Sequence, residues 1–329
     1  MNFVVIGLGS MGKRRIRLLK EYIKNSGKES WEIFGIDNRG DRRQEAEGLY
    51  GIRARNSIDE VLKEYSIDAA FVCTSPLSHA TIITECLNRN LHVFTEINVI
   101  ADEYDKNSAL ADKKGRVLYL SSTFMHRKEM VYIKNWVQEK DHKLSYRYHV
   151  GQYLPEWHPW ESYKSFFVND KRTNACRELL AIELPWMTDA FGDVDWFVSK
   201  HNKLSELDID YDDTYHVLIH HSTGITGCLT VDVVSPKAER GLDVFGENSL
   251  LTWNGTPDSL MVTGRSKEPE TVILYDKTIH LDDYAKYIIE DAYYDEVEDF
   301  IRCIEQNSKP AYTFEKDALV LKTIDGIEM

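Results

Sequence analysis

The sequence has few cysteines and no long apolar run, and both shortages exclude classes of protein. Its five cysteines among 329 residues are scattered and never spaced C-x-x-C, so we expect neither a disulfide framework nor a zinc site. No apolar stretch approaches the ~20 residues that cross a bilayer. The first residues, MNFVVIGLGS, contain no charged leader. We therefore expect a cytoplasmic protein that has no signal peptide and does not enter a membrane.

Positive charge is also scarce. There are 40 Lys and Arg against 54 Asp and Glu, which gives a formal net charge of −14. A surface that follows a phosphate backbone needs clustered basic residues, and the main cluster falls on one short predicted helix. That cluster consists of Lys13, Arg14, Arg15 and Arg17. We expect no nucleic-acid partner.

Three histidines near residue 220 resemble a metal cluster in the sequence alone. On a strand that rises ~3.3 Å per residue, His216 and His220 would lie ~13 Å apart, and His221 would face the other way. Zinc ligands must all lie about 2 Å from one ion. We therefore predict no metal site there or elsewhere.

The first 122 residues alternate short β-rich runs with helical runs, which indicates parallel βαβ units in a dinucleotide-binding domain. The predicted strands are Phe3–Ile6, Glu32–Ile36, Arg53–Arg55, Ala69–Thr74, Leu91–Phe94 and Val117–Leu120. The predicted helices are Met11–Ile23, Ile58–Tyr65, Ser78–Leu87 and Tyr104–Lys113.

From residue 123 to 329 the pattern changes to long alternating runs, which favour a large, mostly antiparallel sheet in an α+β domain. The runs are Leu144–Tyr153, Tyr215–Val234, Leu242–Trp253 and Thr271–Tyr275. Two helical runs, Cys176–Phe191 and Asp291–Glu305, accompany them. The predicted fold is therefore an α/β domain with a parallel sheet, residues 1–122, followed by an α+β domain, residues 123–329.

The stretch VVIGLGSMGKRR carries a G-x-G-x-x-G motif directly after a predicted strand and at the start of a predicted helix. Gly7 permits the tight turn, Gly9 admits a pyrophosphate against the backbone, and Gly12 lets helix and strand pack closely. The free N–H groups of Ser10 and Met11 would face the phosphates. The motif predicts a dinucleotide cofactor.

The second predicted strand ends before Asp37, where a carboxylate hydrogen-bonds the ribose 2′-hydroxyl of NAD. Arg39, two residues further on and past Asn38, could instead hold a 2′-phosphate. The cofactor is therefore NAD or NADP, and NAD is favoured.

Polar side chains follow two further strands at the edge where ligands of open α/β sheets gather. After one strand come Thr74, Ser75, Pro76 and, on the next helix, His79, and we expect these residues near the nicotinamide end of the cofactor. A capped turn would explain Ser75 and Pro76 equally well. The next strand runs into the sequence HVFTEINV, where Glu96 and Asn98 are expected to orient cofactor or substrate by hydrogen bonds.

These motifs resemble the glucose–fructose oxidoreductase, inositol dehydrogenase and MocA-like group, Gfo/Idh/MocA. The resemblance covers nearly the whole chain through IGLGSMG, SIDEVLKEYSIDAAFVCTSPLSHATIITECLNRNLHVFTE and the tail YYDEVEDFIRCIEQNSKPAYTFEKDALVLKTID. It implies hydride transfer between NAD(P) and a sugar or cyclitol hydroxyl, with an open sheet that often mediates oligomers. The middle portion looks like a subgroup of cell-surface sugar biosynthesis enzymes, which extends the expectation to surface polysaccharides.

The sequence departs from the family pattern at both groups that usually handle protons. The family reads Glu-Lys-Pro where this chain reads Glu96-Ile97-Asn98, so the lysine is absent. The family also places an Asp and, four residues later, a catalytic His on a helix of the second domain. Here Glu178 matches the Asp, and the His position falls on Ile182 or, with a shift of one residue, Glu183.

Two residues are candidates for the missing acid or base, which typically contributes ~10²–10⁴-fold to the rate. Glu183 lies among apolar residues, where desolvation would favour a base that works near neutral pH. Alternatively, Glu183 is a structural residue whose carboxylate pairs with Arg177 or reaches the protein surface. His158 lies between Trp157 and Trp160, whose faces suit sugar rings, although the three could also form a core cluster.

Basic residues follow this aromatic segment in a chain that is otherwise acidic. Lys164, Lys171 and Arg172 could balance a phosphate or carboxylate on the substrate, as in a nucleotide sugar or a sugar acid, or could be ordinary surface charge. Lys164 is a third candidate for proton transfer.

The sequence thus predicts an NAD(P)-dependent oxidoreductase that acts on a sugar, nucleotide sugar or sugar acid. The alternative is a non-catalytic NAD(P)-binding sensor or scaffold that kept the fold and lost the acid–base pair. The alternating runs between Tyr215 and Trp253 would leave one sheet face exposed, so we expect a homodimer or homotetramer formed through the second domain.

Overall fold

The computed structural model describes residues 1–140, 143–157, 162–276, 278 and 288–329. These residues form two compact units. The first holds residues 1–122 together with 293–318, and the second holds residues 123–292 together with 319–329. The chain thus returns to the first unit near its C-terminus.

The first unit contains a six-stranded parallel sheet in the order β3-β2-β1-β4-β5-β6. Its strands are β1 (Phe3–Ile6), β2 (Ile33–Ile36), β3 (Arg53–Arg55), β4 (Ala69–Val72), β5 (His92–Thr95) and β6 (Leu118–Leu120). The central strands are apolar and buried along their whole length, as a sheet covered on both faces requires. The strand order reverses beside β1, which is where dinucleotides bind in this architecture.

Helices connect these strands: α1 (Ser10–Asn25), α2 (Gly40–Tyr50), α3 (Ile58–Glu64), α4 (Pro76–Asn88) and α5 (Tyr104–Lys114). Helix α2 was not predicted from the sequence. It buries only Ala46 among its eleven residues, so it lacks the apolar period that indicates a helix.

The core of the first unit includes an aromatic cluster on β4, β5 and β6. Phe71 and Phe94 stack at 4.8 Å between ring centroids, and Phe94 and Tyr119 stack at 5.3 Å. Phe300 meets Phe71 edge-on at 5.3 Å. Phe300 belongs to α8 (Glu290–Gln306), so the C-terminal segment completes the core of the sheet formed by the N-terminal residues.

The second unit contains an eight-stranded sheet in the order β14-β13-β12-β11-β7-β10-β9-β8. Its strands are β7 (Ser145–Tyr153), β8 (Val194–Asn202), β9 (Thr214–His221), β10 (Thr226–Asp232), β11 (Val234–Gly246), β12 (Ser249–Trp253), β13 (Met261–Gly264) and β14 (Glu270–Thr271). Strands β7 and β10 are parallel, and the other pairs are antiparallel. The mostly antiparallel sheet is confirmed.

Helix α7 (Ala175–Phe191) packs against one face of this sheet, with Tyr146 stacked on Phe191 at 4.6 Å and Tyr148 edge-on to Trp186 at 5.5 Å. The remaining helices are α6 (Lys128–Gln138) and α9 (Phe314–Ile327). The predicted run from residue 215 to 234 is two strands, because Gly224 adopts a φ of +90° and turns the chain.

Candidate active site

The glycine loop after β1 has the geometry of a phosphate-binding turn. Gly7 has a φ of +93°, and a Cβ there would lie 2.6 Å from the Cys73 carbonyl oxygen. A Cβ on Gly12 would lie 1.9 Å from the Gly7 carbonyl oxygen. Both positions therefore require glycine for the fold itself, since a side chain would collide with backbone.

Gly9 has a different requirement. A Cβ on Gly9 would meet only the end of the Arg42 side chain, at 3.7 Å, so the space above this residue is open. Helix α1 begins at Ser10, and no side chain caps its start and no acidic residue lies in its first turn. The N–H groups of Ser10 and Met11 suit an anion, and this loop fits the pyrophosphate of a dinucleotide.

Asp37 lies at the carboxyl end of β2 and is buried. Its Oδ2 accepts a hydrogen bond from the Leu8 N–H at 2.8 Å, and its Oδ1 accepts one from the Arg39 N–H at 2.9 Å. The carboxylate therefore fixes the glycine loop against the loop that starts at Asn38. The Arg39 side chain pairs with Asp41.

Arg42 is a candidate that the sequence analysis missed. Its guanidinium Nη1 lies 3.7 Å from Asp37 Oδ2 and beside Gly9, where a cofactor phosphate would approach. Arg42 is in the first turn of α2, which brings it back over the glycine loop. Recognising α2 in the sequence would have placed this arginine at the site.

The four residues predicted near the nicotinamide lie at the carboxyl end of β4 and in the first turns of α4. They are Thr74, Ser75, Pro76 and His79. The Thr74 and Ser78 hydroxyls are 2.8 Å apart, and α4 begins at Pro76 after Ser75. His79 is buried, with Nε2 at 2.8 Å from the Thr74 carbonyl oxygen. Burial lowers the pKa of His79. The ring therefore anchors the loop after β4.

Glu96 and Asn98 are both buried at the carboxyl end of β5 and already engaged within the protein. Glu96 forms an ion pair with Arg15 of α1 at 2.6 Å, and Arg15 also binds Glu296 of α8 at 2.6 Å. Asn98 Oδ1 lies 2.5 Å from His79 Nδ1. These contacts hold the loop in place, and direct bonds to cofactor or substrate remain a prediction.

Glu183 is fully buried on α7 and accepts three hydrogen bonds. Tyr148 Oη and Trp186 Nε1 each donate to Oε2 at 2.7 Å, and Arg240 Nε donates to Oε1 at 2.8 Å. The sequence analysis named Arg177 as the possible partner, but Arg177 pairs with Asp325 and Glu328. The geometry gives Glu183 the role of a buried counter-ion, because its oxygens are occupied by protein donors.

Glu178 presents the opposite environment on the same helix. The residue is half-buried. Among the described residues, no group donates a hydrogen bond to its carboxyl or forms an ion pair with it. Desolvation raises the pKa of Glu178 to about 8. A carboxyl in this state can both hold and release a proton near neutral pH.

The burial pattern of α7 bears on which residue occupies the position of the family's histidine. Residues four apart lie ~40° apart around a helix, and residues five apart lie ~140° apart. Glu178 and Ile182 are both half-buried, whereas Glu183 is fully buried. Ile182 thus shares the half-buried side of α7 with Glu178, which favours Ile182 over Glu183 for the family's histidine position, and that assignment stays a prediction.

The remaining predicted residues lie in or beside irregular segments of the second unit. Lys164 is exposed and pairs with Asp208 at 2.5 Å, which raises the pKa of this lysine. Lys171 and Arg172 are exposed, and Trp157 is half-buried after a short 3₁₀ turn. His158 and Trp160 lie outside the described residues.

Two searches of the described residues concern ions and membranes. Within residues 1–140, 143–157, 162–276, 278 and 288–329, no group of three or more His, Cys, Asp or Glu could hold a metal ion. His221 instead bonds Tyr146 at 3.0 Å, and His220 bonds Thr226 at 2.7 Å. None of the helices in that part of the chain has the length and apolar character needed to span a bilayer.

Solved structures share the fold across both units. Levoglucosan dehydrogenase in complex with NADH and L-sorbose superposes with a TM-score of 0.80 at 13% identity, covering 99% of this chain and 95% of that chain. UDP-N-acetylglucosamine 3-dehydrogenase from Acidithiobacillus ferrooxidans superposes with a TM-score of 0.75 at 16% identity, covering 100% and 96%. At these identities the likeness establishes the fold alone.

Sequence comparison finds similar proteins for the N-terminal part of the chain. Mouse biliverdin reductase A is 29% identical over 140 residues, which are 42% of this chain and 45% of that protein, so the chain matches less than half of its relative's length. The model of the oxidoreductase family with an NAD-binding Rossmann fold, GFO_IDH_MocA, matches residues 1–122. The match identifies residues 1–122 as an NAD-binding Rossmann domain of the Gfo/Idh/MocA oxidoreductase type.

Proposed function

We propose that this protein is an NAD-dependent oxidoreductase that interconverts a hydroxyl and a keto group on a sugar, nucleotide sugar or sugar acid. The observation that carries the proposal is the coexistence of an intact dinucleotide loop with a carboxyl on α7 that has no partner among the residues the structure describes. Gly9 leaves open space at the start of α1. Glu178 supplies a proton site with a pKa raised to about 8 by desolvation.

Residues of the first unit bind and orient the cofactor. The N–H groups of Ser10 and Met11 take the pyrophosphate, and Asp37 holds the glycine loop by its bond to Leu8 at 2.8 Å. Thr74 and Ser75 line the edge beyond β4. When bound, NAD supplies the acceptor or donor for the hydride, which is chemistry that no side chain provides.

Glu178 moves the proton in this proposal. In the direction of alcohol oxidation, the Glu178 carboxylate takes the proton of the substrate hydroxyl, and in the reverse direction the carboxylic acid returns it to the carbonyl oxygen. Its half-buried position, with no hydrogen-bond donor to its carboxylate in the described part of the chain, keeps that carboxylate basic. Glu183 was the first choice from the sequence, but its three donors favour a supporting role.

The substrate class rests on side chains of the second unit. We propose that Trp157 offers a face for a sugar ring and that Lys171 and Arg172, both exposed, neutralise a phosphate or carboxylate of the substrate. His158, Trp160 and Lys164 are further proposed contacts. The solved relatives named above as dehydrogenases of levoglucosan and of UDP-N-acetylglucosamine favour a carbohydrate substrate in this proposal. A role in surface-polysaccharide synthesis rests on the sequence resemblance alone.

Assembly is part of the proposal. The sheet face opposite α7 exposes apolar side chains on β8 and β9, among them Trp196, Val198 and Leu218, and Val198 and Leu218 are paired neighbours. A second copy of the chain would cover them, which supports a homodimer or homotetramer.

The test is product formation from a panel of nucleotide sugars, sugar acids and free sugars with NAD(H) and NADP(H). We expect a change in nicotinamide absorbance together with a product that differs from its substrate by two hydrogen atoms in mass spectrometry. The Gly9→Val variant is the control, because it should lose the cofactor. Tight NADH binding without turnover of any compound in the panel would favour the non-catalytic sensor instead.

A further inference from the structure

Both ring nitrogens of His149 face carboxylate oxygens on the sheet of the second unit. Nε2 lies 2.7 Å from Asp232 Oδ2, and Nδ1 lies 2.7 Å from Glu239 Oε1. His149 is on β7, Asp232 is the last residue of β10, and Glu239 is on β11. These three residues are called the His149 cluster below. The proton transfer assigned to Glu178 does not use them.

The cluster lies on the sheet face opposite α7. Side chains alternate along a strand, and the neighbouring Tyr148 contacts Trp186 of α7, so His149 points away from that helix. The His149 side chain is 36% exposed, whereas the Asp232 side chain is 6% exposed. His149 can therefore exchange a proton with water, while Asp232 stays inside the protein.

The hydrogen bonds of the two carboxylates fix the protonation of His149. Asp232 Oδ1 accepts from the N–H groups of Val234 at 3.1 Å and Ser235 at 2.7 Å, and the Ser235 hydroxyl donates to Oδ2 at 3.0 Å. Although burial opposes the shift, the bonds from His149 and Ser235 lower the pKa of Asp232. Carboxylate oxygens only accept, so both ring nitrogens must donate to Asp232 and Glu239, and the ring is an imidazolium.

The cluster spans a bulge in the pairing of β11 with β7. Val234 pairs with Tyr153, but the next paired residue of β11 is Glu239, opposite Gly151, so the residues between Val234 and Glu239 leave the ladder. Asp232 precedes this bulge in the chain, and Glu239 follows it. The imidazolium thus joins the two ends of the bulge.

The start of the bulge also holds the chain segment that follows β7. The Leu154 N–H donates to the Val233 carbonyl oxygen at 3.0 Å, and the Trp157 N–H donates to the Leu154 carbonyl oxygen at 3.2 Å. Val233 directly follows Asp232 in the chain. The contacts therefore run from His149 through Asp232 and Val233 to the segment that carries Trp157.

We propose that His149 is a positioning residue: as an imidazolium it joins Asp232 to Glu239 across the bulge and so fixes the segment that carries Trp157. When the pH rises, Nδ1 releases its proton to water, and two acceptors then face each other. Glu239, which is exposed, turns to solvent, whereas the buried Asp232 keeps the hydrogen on Nε2. The contact across the bulge is thereby lost.

The charges of the cluster favour the imidazolium. The hydrogen bond to Asp232 raises the pKa of His149, and Glu239 adds to the rise, while partial burial opposes both. Because the folded-state pKa is raised, the stability that the cluster contributes is present below the ordinary value of 6.5. It is lost as the pH rises through the folded-state value.

Other charged groups on this face have contacts of their own. Arg147, two residues before His149 on β7, pairs with Asp243 of β11 at 2.9 Å. His216 of β9 lies 3.2 Å from the hydroxyl of Thr230, the β10 residue that separates it from His149. The two carboxylates of the cluster therefore set the charge of the ring.

The consequence for the site rests on the proposed function, in which Trp157 contacts a sugar ring. The KM for the sugar should rise with pH as His149 loses its proton, and His149→Gln should remove this dependence. The affinity for NADH should not change, because the first unit binds the cofactor. The kcat should instead follow the titration of Glu178.

The protonation of the cluster is tested without a substrate, by ¹⁵N NMR of the His149 ring nitrogens. The midpoint should lie above 6.5, the ordinary value for histidine. Glu239→Gln should lower it by about one pH unit, because an amide can donate to Nδ1 as well as accept from it. Asp243→Asn is the matched control and should change the midpoint much less, since it removes a carboxylate of the same strand and face that pairs with Arg147.

The positioning role is tested by amide hydrogen exchange of Leu154 in the parent and in His149→Gln, whose amide can keep the bond to Asp232 as a neutral ring does. Below the His149 midpoint, Leu154 should exchange faster in the variant than in the parent. Above the midpoint the two rates should converge, because the parent has then lost the same contact. A merely structural effect of the substitution would give one ratio at every pH.

Three results would overturn the proposal. A His149 midpoint at or below 6.5, or equal shifts in Glu239→Gln and Asp243→Asn, would refute the imidazolium held by the cluster. A ratio of Leu154 exchange rates that does not depend on pH would refute the positioning role. Each of these results leaves the hydride-transfer proposal intact, because the measurements require neither cofactor nor turnover.

Discussion

The glycine loop and helix α7 each contain two residues of the same type with different roles. In the loop, the roles of Gly9 and Gly12 depend on the space that a missing side chain leaves, whereas on α7 the roles of Glu178 and Glu183 depend on the groups that surround each carboxyl. A Cβ on Gly12 would lie 1.9 Å from backbone, while one on Gly9 would meet only a flexible side chain at 3.7 Å. Glu183 is buried among three donors, and Glu178 has none among the described residues. In both pairs one member serves the fold, and the other is the one that we propose to act on a ligand.

The difference explains why the cofactor site can persist while the proton site changes. Backbone N–H groups bind a pyrophosphate whatever the neighbouring side chains are, provided that the glycines remain. Proton transfer depends on one titratable side chain, and a single substitution removes it. By the resemblance noted in the sequence, Ile97 is expected at the family's lysine position and Ile182 or Glu183 at its histidine position, yet residues 1–122 match the family model.

The largest effect is expected in the glycine loop. Gly9→Val should abolish NADH binding in calorimetry and keep the native circular dichroism spectrum, because only the end of Arg42 lies within 4 Å of its Cβ. Gly12→Val should instead disrupt the packing of α1 on β1 and lower the unfolding temperature. Unchanged affinity for NADH and NADPH in Gly9→Val would refute the assignment of the loop.

The two glutamates should separate activity from stability. Glu178→Gln should lower turnover by ~10²-fold or more and leave NADH affinity unchanged, because it removes the base. Glu183→Gln should destabilise the protein by ~3–5 kcal/mol in denaturant unfolding, because Arg240 loses its buried counter-charge. An active Glu178→Gln beside a stable, inactive Glu183→Gln would return the base to Glu183.

A smaller effect is expected on the exposed sheet face of the second unit, where a substitution should change the oligomeric state. Light scattering at micromolar concentration should give two or four times the 38.2 kDa of the chain, because further copies of the chain would cover the apolar sheet face. Val198→Asp, at a position that is 63% exposed, should shift the protein towards the single-chain mass. A parent protein of 38.2 kDa would exclude the proposed assembly.

The smallest effect is expected at Arg42. Removing its guanidinium, 3.7 Å from Asp37, should weaken NADPH binding by about tenfold and NADH binding less, since a hydrogen bond to a charged group contributes ~1.5–3 kcal/mol. Lys63→Ala, which removes an exposed cation of α3, is the control for net charge. Equal affinities for both cofactors in Arg42→Ala and the parent would remove Arg42 from the site.

Local spacing predicted the parts of the molecule that depend on backbone. The fold class, the glycine loop and the strand that ends before Asp37 follow from hydrophobic period and from the positions of glycine. Helix α2 does not, because its solvated sequence has no apolar face, and Arg42 was missed with it.

The burial and hydrogen-bond partners of the functional side chains could not be predicted from the sequence. Helical spacing places Glu178 and Glu183 ~140° apart around α7, but the sequence does not state which side meets the sheet. That side is decided by Tyr148 and Arg240, which come from strands that are distant in the chain. The hydrogen bond from Tyr104 to Asp317 likewise joins residues more than two hundred positions apart in the chain, which no local sequence pattern records.

The proton site on α7 is tested most directly by titrating the Glu178 carboxyl with ¹³C NMR, assigned by its absence in Glu178→Gln. The account predicts a midpoint of about 8, caused by desolvation. Because folding then favours the protonated form, the stability that this group contributes is present below its unfolded pKa and is lost as the pH rises through about 8. A midpoint near 4.5, the ordinary value for glutamate, would contradict the account.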